Sequence, residues 1–274
     1  MASTRTQSPL PGFHEYTGDA FISLVCNIYA HFKNGKTHFG LTAPDPIAII
    51  NFDNGLKGVA KKFPNKKLHI ANAVLPIPEI STIIAEDRGK MKSKVEQVVD
   101  PEFVDLATKA WTMVVSNIRD ACRSESIRSI MVDTTSSMWE LIRLARFGKL
   151  LQIEPFHYGP VNMEFGGICA EMQDSGKNVI FLHQMRKTYS DNKWNGHYEP
   201  AQFSKLDGLI DVAGWLRHDS GEVFYLEVME CRQNPNLTGE ILGPIEDPEP
   251  VFPICDFPSL AMHVMLGTTI EDWS

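Results

Sequence analysis

Apolar and polar positions alternate along this chain in blocks that read as strands followed by helices. The apolar, β-branched run ISLVCNIYA (residues 22–30) enters a short polar turn, reaches Gly35-Lys36-Thr37, and continues into the helix-compatible THFGLTA. A second apolar run, IAIINFD (residues 47–53), follows at the spacing a βαβ unit needs, and LHIANAV (residues 68–74) reads as a further short strand. Asp100 as N-cap and Pro101 at the first helical position open a long helix. Its apolar residues Phe103, Val104, Ala107, Trp111, Val114, Val115 and Ile118 share one face, which puts Trp111 in the core. SIRSIMVDTTSSMWELIRLARFG (residues 126–148) reads as a buried strand ending in Asp133, a Thr/Ser turn in which Thr134 and Ser136 can cap, and an amphipathic helix with Arg143, Arg146 and Lys149 on its polar side. NVIFLHQMRK (residues 178–187) reads as another buried strand. LIDVAGWLR and EVFYLEVMEC (residues 209–217 and 222–231) flank His218-Asp219-Ser220-Gly221 as a hairpin.

This order of elements predicts an α/β fold, with a mostly parallel central sheet flanked by helices and an antiparallel edge hairpin. The expected organisation is a mobile arm over residues 1–19, one domain over 20–233, and an extended Pro-, Asp- and Glu-rich tail over 234–274. At 274 residues and 43% hydrophobic content the chain can bury a sizeable core. No apolar run approaches the roughly 20 residues of a membrane span, and MASTRTQSPLPG lacks a secretory layout, so a cytoplasmic location is expected. The five cysteines are scattered without a CxxC pair, which fits free thiols in a reducing compartment better than disulfides or zinc.

The segment Ala30-His31-Phe32-Lys33-Asn34-Gly35-Lys36-Thr37-His38 carries the chemistry. A strand, a tight turn and Gly-Lys-Thr opening a helix form the layout of a phosphate-binding loop, whose consecutive backbone N–H groups curl around a β-phosphate. Lys36 is placed to reach the β- and γ-phosphates, and the Thr37 hydroxyl to hold Mg²⁺. Ala30 stands where the pattern has glycine, which is tolerable if its φ stays negative. In such enzymes the strand beside the loop strand ends in an aspartate that holds magnesium through its water shell, and Asp133 fits that role. A strand-end capping aspartate is the plainer alternative. His183-Gln184 ends a third strand, so Thr37, Asp133 and Gln184 should converge on one sheet edge, with Gln184 suited to sensing a γ-phosphate.

The net charge of −8 excludes a protein that coats nucleic acid by bulk positive charge. Residues 185–205 nevertheless interleave Arg186, Lys187 and Lys193 with Tyr189, Trp194, His197 and Tyr198. That composition suits a mobile loop that follows a nucleic-acid backbone and stacks on bases, and equally an ordered loop packed on the domain.

The series YAHFKNGKTHFGLTAP, IINFDNGLKGV, IMVDTTSSMWE, FHYGPVNMEF, VIFLHQMRK and HYEPAQFSKLDGLIDVAGWLR resembles the RecA-like ATP-binding proteins of tailed phages, several of which act as single-strand annealing recombinases. The resemblance covers roughly residues 20–235. It implies a RecA-type P-loop sheet, ATP with Mg²⁺, homo-oligomers as rings or filaments, and single-stranded DNA as partner. It also implies two DNA-contacting loops, at residues 154–166 with His157 and Tyr158, and at residues 185–204. Where RecA-type proteins carry a general-base glutamate, INFDNG offers Asp53 and Asn54, and Glu140 lies one turn into the helix after Asp133. Slow DNA-dependent ATP hydrolysis is therefore expected, with ATP as an assembly switch. The competing readings are a small-molecule kinase, which needs a lid that Arg186 and Lys187 could supply, and a non-catalytic assembly protein with a decayed ATPase site.

Overall fold

The computed structural model describes residues 22–53, 55–76, 101–148, 155–190, 193–200, 206, 208–218, 223–244 and 253–273. In chain order the strands are β1 (Val25–Ala30), β2 (Ile47–Asn51), β3 (Leu68–Asn72), β4 (Ser129–Asp133), β5 (Asn178–Ser190), β6 (Lys193–Pro200), β7 (Val212–His218), β8 (Phe224–Cys231) and β9 (Ile241–Leu242). The helices are α1 (Lys36–Leu41), α2 (Leu56–Ala60), α3 (Pro101–Arg123), α4 (Thr135–Phe147), α5 (Pro155–Asp174) and α6 (Phe257–Val264). Among the described residues the strands form one sheet in the order β3-β2-β4-β5-β1-β7-β8-β9, with β6 paired to the outer part of β5. β3, β2, β4, β5, β1 and β7 run parallel, while β8 and β9 add an antiparallel edge. This is the predicted α/β architecture, and no helix among the described residues is long and apolar enough to cross a membrane.

The two-residue period of the central strands divides the core between the sheet's faces. Val25 and Tyr29 of β1, Ile130 and Val132 of β4, and Val179 and Phe181 of β5 join one cluster with α3, α4 and α5. Cys26 and Ile28, Met131, and Ile180 and Leu182 join the other, under α1 and α6. Both faces are covered, which is why these strands read as continuous apolar runs rather than as alternation. Trp111 is buried as expected, and its Nε1 donates to Glu164 Oε1 at 2.8 Å. The five cysteines are free thiols.

Five expectations are corrected. β4 does not lie beside β1: β5 stands between them, so the Asp133 strand is one place removed from the loop strand. Residues 155–166 are not a loop but the first turns of α5, where His157 is buried and Tyr158 stacks on Trp139 with ring centroids 5.7 Å apart. The stretch after Gln184 is not an irregular loop either: β5 continues to Ser190 and pairs antiparallel with β6. Finally, the described part of the C-terminal segment is packed rather than extended. β9 adds to β8, and Phe257, Leu260, Ala261, Val264 and Trp273 are buried in the same cluster as Phe39 and Leu41 of α1. Arg143, expected on a polar face, is buried and held by Glu140 one turn earlier. The predicted arm at residues 1–19, the cap at Asp100 and Lys149 lie outside the described residues.

Candidate nucleotide site

The site is built where β1 ends. All six residues of β1 are buried, and the chain emerges at Ala30 into a loop that closes on α1. Lys33 and Gly35 take the left-handed conformations that turn the loop, with φ of 63° and 79°. Lys33 is the one non-glycine residue with positive φ among the described residues, so Ala30 carries its Cβ without backbone strain. Gly35 is required twice over, because a Cβ there would also meet the Phe224 ring at 2.9 Å. Phe32 at the loop's tip is 69% exposed. His38 has its ring against Phe63, with centroids 4.8 Å apart.

Lys36 is nearly buried at 8% exposure and folds over the loop, donating from Nζ to the carbonyl oxygens of His31 at 2.8 Å and Ala30 at 3.2 Å. Burial lowers its pKa, opposed by the carboxylates of Asp133 and Asp53. Thr37 Oγ1 donates to Asp133 Oδ2 at 2.7 Å, although the two residues come from different elements with β5 between their strands. Asp133 is itself buried, and burial raises its carboxyl pKa. The Thr37 hydrogen bond lowers it, Asp53 pushes it up further, and Lys36 draws it down. The Asp133 carbonyl accepts the Phe52 N–H at 2.6 Å, which ties the end of β2 to the end of β4. Asp53 follows at the exposed end of β2 and accepts the Gly55 N–H at 3.2 Å.

Gln184 lies directly across from Ala30 in the parallel register of β5 and β1, and its N–H donates to Ser136 Oγ at 3.5 Å. Thr134 caps α4 by accepting the Ser137 N–H, as the sequence suggested. The structure thus gathers Lys36, Thr37, Asp53, Asp133 and Gln184 at the carboxyl edge of the parallel strands. Glu140 is not part of that group: its carboxylate is committed to Arg143.

Among the described residues no three His, Cys, Asp or Glu side chains gather as a metal site. A hydroxyl and a carboxylate 2.7 Å apart offer hard oxygen donors, which suits Mg²⁺ held jointly with phosphate oxygens and water rather than zinc. Residues 23–239 match the family model described as AAA domain. The chain belongs to that family. No curated protein matches it. As an AAA domain it is a P-loop nucleotide-binding ATPase, a family that usually binds Mg²⁺ with its nucleotide.

The residues predicted to meet DNA sit on the β5–β6 hairpin. In its register Arg186 pairs with Glu199, Lys187 with Tyr198, Tyr189 with Trp194, and Ser190 with Lys193. Arg186 is salt-bridged to Glu199 at 2.8 Å. Sequence reasoning missed the rings that touch the phosphate loop from distant strands: Tyr198 and Trp215 beside His31, and Phe224 against Gly35. No local pattern signals contacts between residues so far apart in the chain.

Proposed function

We propose that this AAA domain belongs with the RecA-like single-strand annealing proteins. On this reading it binds single-stranded DNA along the β5–β6 hairpin as a homo-oligomer, and ATP with Mg²⁺ switches its assembly. The observation that carries the reading is the continuity of β5. One strand runs unbroken from Gln184, at the phosphate edge opposite Ala30, to Ser190 in the hairpin. A γ-phosphate sensed at Gln184 therefore acts on the same backbone that carries Arg186, Lys187 and Tyr189, with Lys193, Trp194 and Tyr198 on the partner strand. With a net charge of −8, affinity for DNA has to come from such a local basic and aromatic element.

Turnover is expected to be slow. Asp53 is the carboxylate left to orient water, it is one methylene shorter than glutamate, and Glu140 is engaged by Arg143. The test is ATP hydrolysis with and without single-stranded DNA. Stimulation by DNA supports the proposal. ADP production that depends on a small-molecule acceptor and ignores DNA points to a kinase instead.

A further inference from the structure

His31 is the first residue of the phosphate loop, and other strands hold its ring. Tyr198 of β6 meets it edge-on, with centroids 4.4 Å apart and planes at 82°. Trp215 of β7 lies edge-on at 6.5 Å. The carbonyl of the same residue accepts the Lys36 ammonium at 2.8 Å. A phosphate that draws Lys36 towards itself must take the ammonium from that carbonyl. The peptide freed to move is the one whose side chain sits against Tyr198. Tyr198 in turn pairs with Lys187 across the β5–β6 hairpin. Phosphate loop and hairpin are thus joined twice: by backbone through β5, where Gln184 faces Ala30, and by rings through His31 and Tyr198.

We propose that Tyr198 is a positioning residue. Acting through His31, it couples phosphate binding at the loop to the geometry of the β5–β6 hairpin. An edge-on ring pair suits this role because its energy depends on orientation, so a tilt of His31 is felt by its partner. The inference deepens the reading above and rests on it for the hairpin's purpose, but its own test needs nucleotide only. Coupling of this kind is reciprocal: a ligand that orders the hairpin raises nucleotide affinity by the factor by which nucleotide raises the affinity of that ligand.

Hydrogen exchange of the backbone amides of residues 185–200 reads the coupling directly. It is measured without nucleotide and at an ATP·Mg²⁺ concentration that calorimetry shows to saturate each variant. In the unmodified chain ATP·Mg²⁺ should slow exchange by roughly two- to tenfold, the range one aromatic pair supports. Tyr198→Phe keeps the ring and should keep the response. Tyr198→Ala and Tyr198→Leu, the second of which keeps apolar bulk, should lose it. Hairpin exchange that ignores bound ATP in the unmodified chain, or a Tyr198→Ala response equal to that of the unmodified chain, overturns the inference and leaves the nucleotide reading intact. A hairpin that responds to ATP in a protein that binds no oligonucleotide sustains the coupling and overturns the DNA reading. Absence of ATP binding overturns both.

Discussion

At the scale of residues the nucleotide site turns on two charged side chains. Lys36 gives its ammonium to loop carbonyls and is poised to exchange them for phosphate oxygens. Lys36→Ala should weaken ATP binding by about 1.5–3 kcal/mol in a calorimetric titration, the worth of a charge-assisted contact, with an unchanged thermal melt. Asp133→Asn keeps the size and loses the charge, so ATP should still bind while Mg²⁺-dependent turnover collapses. The raised Asp133 pKa adds a pH signature. Because the folded-state value lies above that of the unfolded chain, the ionised carboxylate costs stability at neutral pH. That cost is relieved as pH falls through the folded-state value. Acidification should therefore release Mg²⁺ at a pH above the usual carboxylate range without unfolding the chain, and Asp133→Asn should abolish that step in a Mg²⁺ titration. That Lys36, Thr37 and Asp133 meet at one sheet edge was legible in the sequence, because a strand, a turn and a fixed motif place each locally. The rings of Tyr198, Trp215 and Phe224 around the loop were not, because tertiary packing alone brings them there.

At the scale of elements the β5–β6 hairpin carries the DNA proposal. Lys193→Ala should lower the salt dependence of single-strand binding by about 0.7 in log–log slope, the value for one neutralised phosphate. Trp194→Ala should instead cost roughly 1–3 kcal/mol with little change in slope, since a stacking contact releases no counterions. Anisotropy titrations over a salt series check both. The hairpin was read as a loop because MRKTYSDNKWNGHYEP lacks apolar alternation. Its strands pair outside the two-sided core, so no face needs burying and no period is imposed. The first turns of α5 were misread for a different reason. The loop at residues 154–166 was implied by the RecA-type resemblance alone, yet the helix runs through Pro160 with Val161 and Phe165 packed in the core. The β7–β8 hairpin, by contrast, was legible from its turn residues and flanking runs.

At the scale of the whole molecule the C-terminal segment belongs to the ATPase body. Its Pro and acidic content suggested an extended tail, but Phe257, Leu260, Val264 and Trp273 close the core beneath α1, and the Phe257 N–H donates to Thr42 Oγ1 at 2.8 Å just past that helix. Trp273 is 1% exposed and donates from Nε1 to Thr268 Oγ1 at 2.9 Å. Trp273→Ala should cost about 3–5 kcal/mol in denaturant unfolding and loosen the support of the phosphate loop. A variant as stable as the unmodified chain would show the segment to be an appendage. On the proposed reading the two ends of β5 act together, nucleotide at the sheet edge setting how the hairpin holds DNA. Fluorescence anisotropy of a labelled single-stranded oligonucleotide, with and without ATP·Mg²⁺, tests it most directly. Binding should be tighter with ATP·Mg²⁺, and Lys36→Ala should lose that gain. Oligonucleotide binding that is absent, or equal with and without ATP·Mg²⁺, would contradict it.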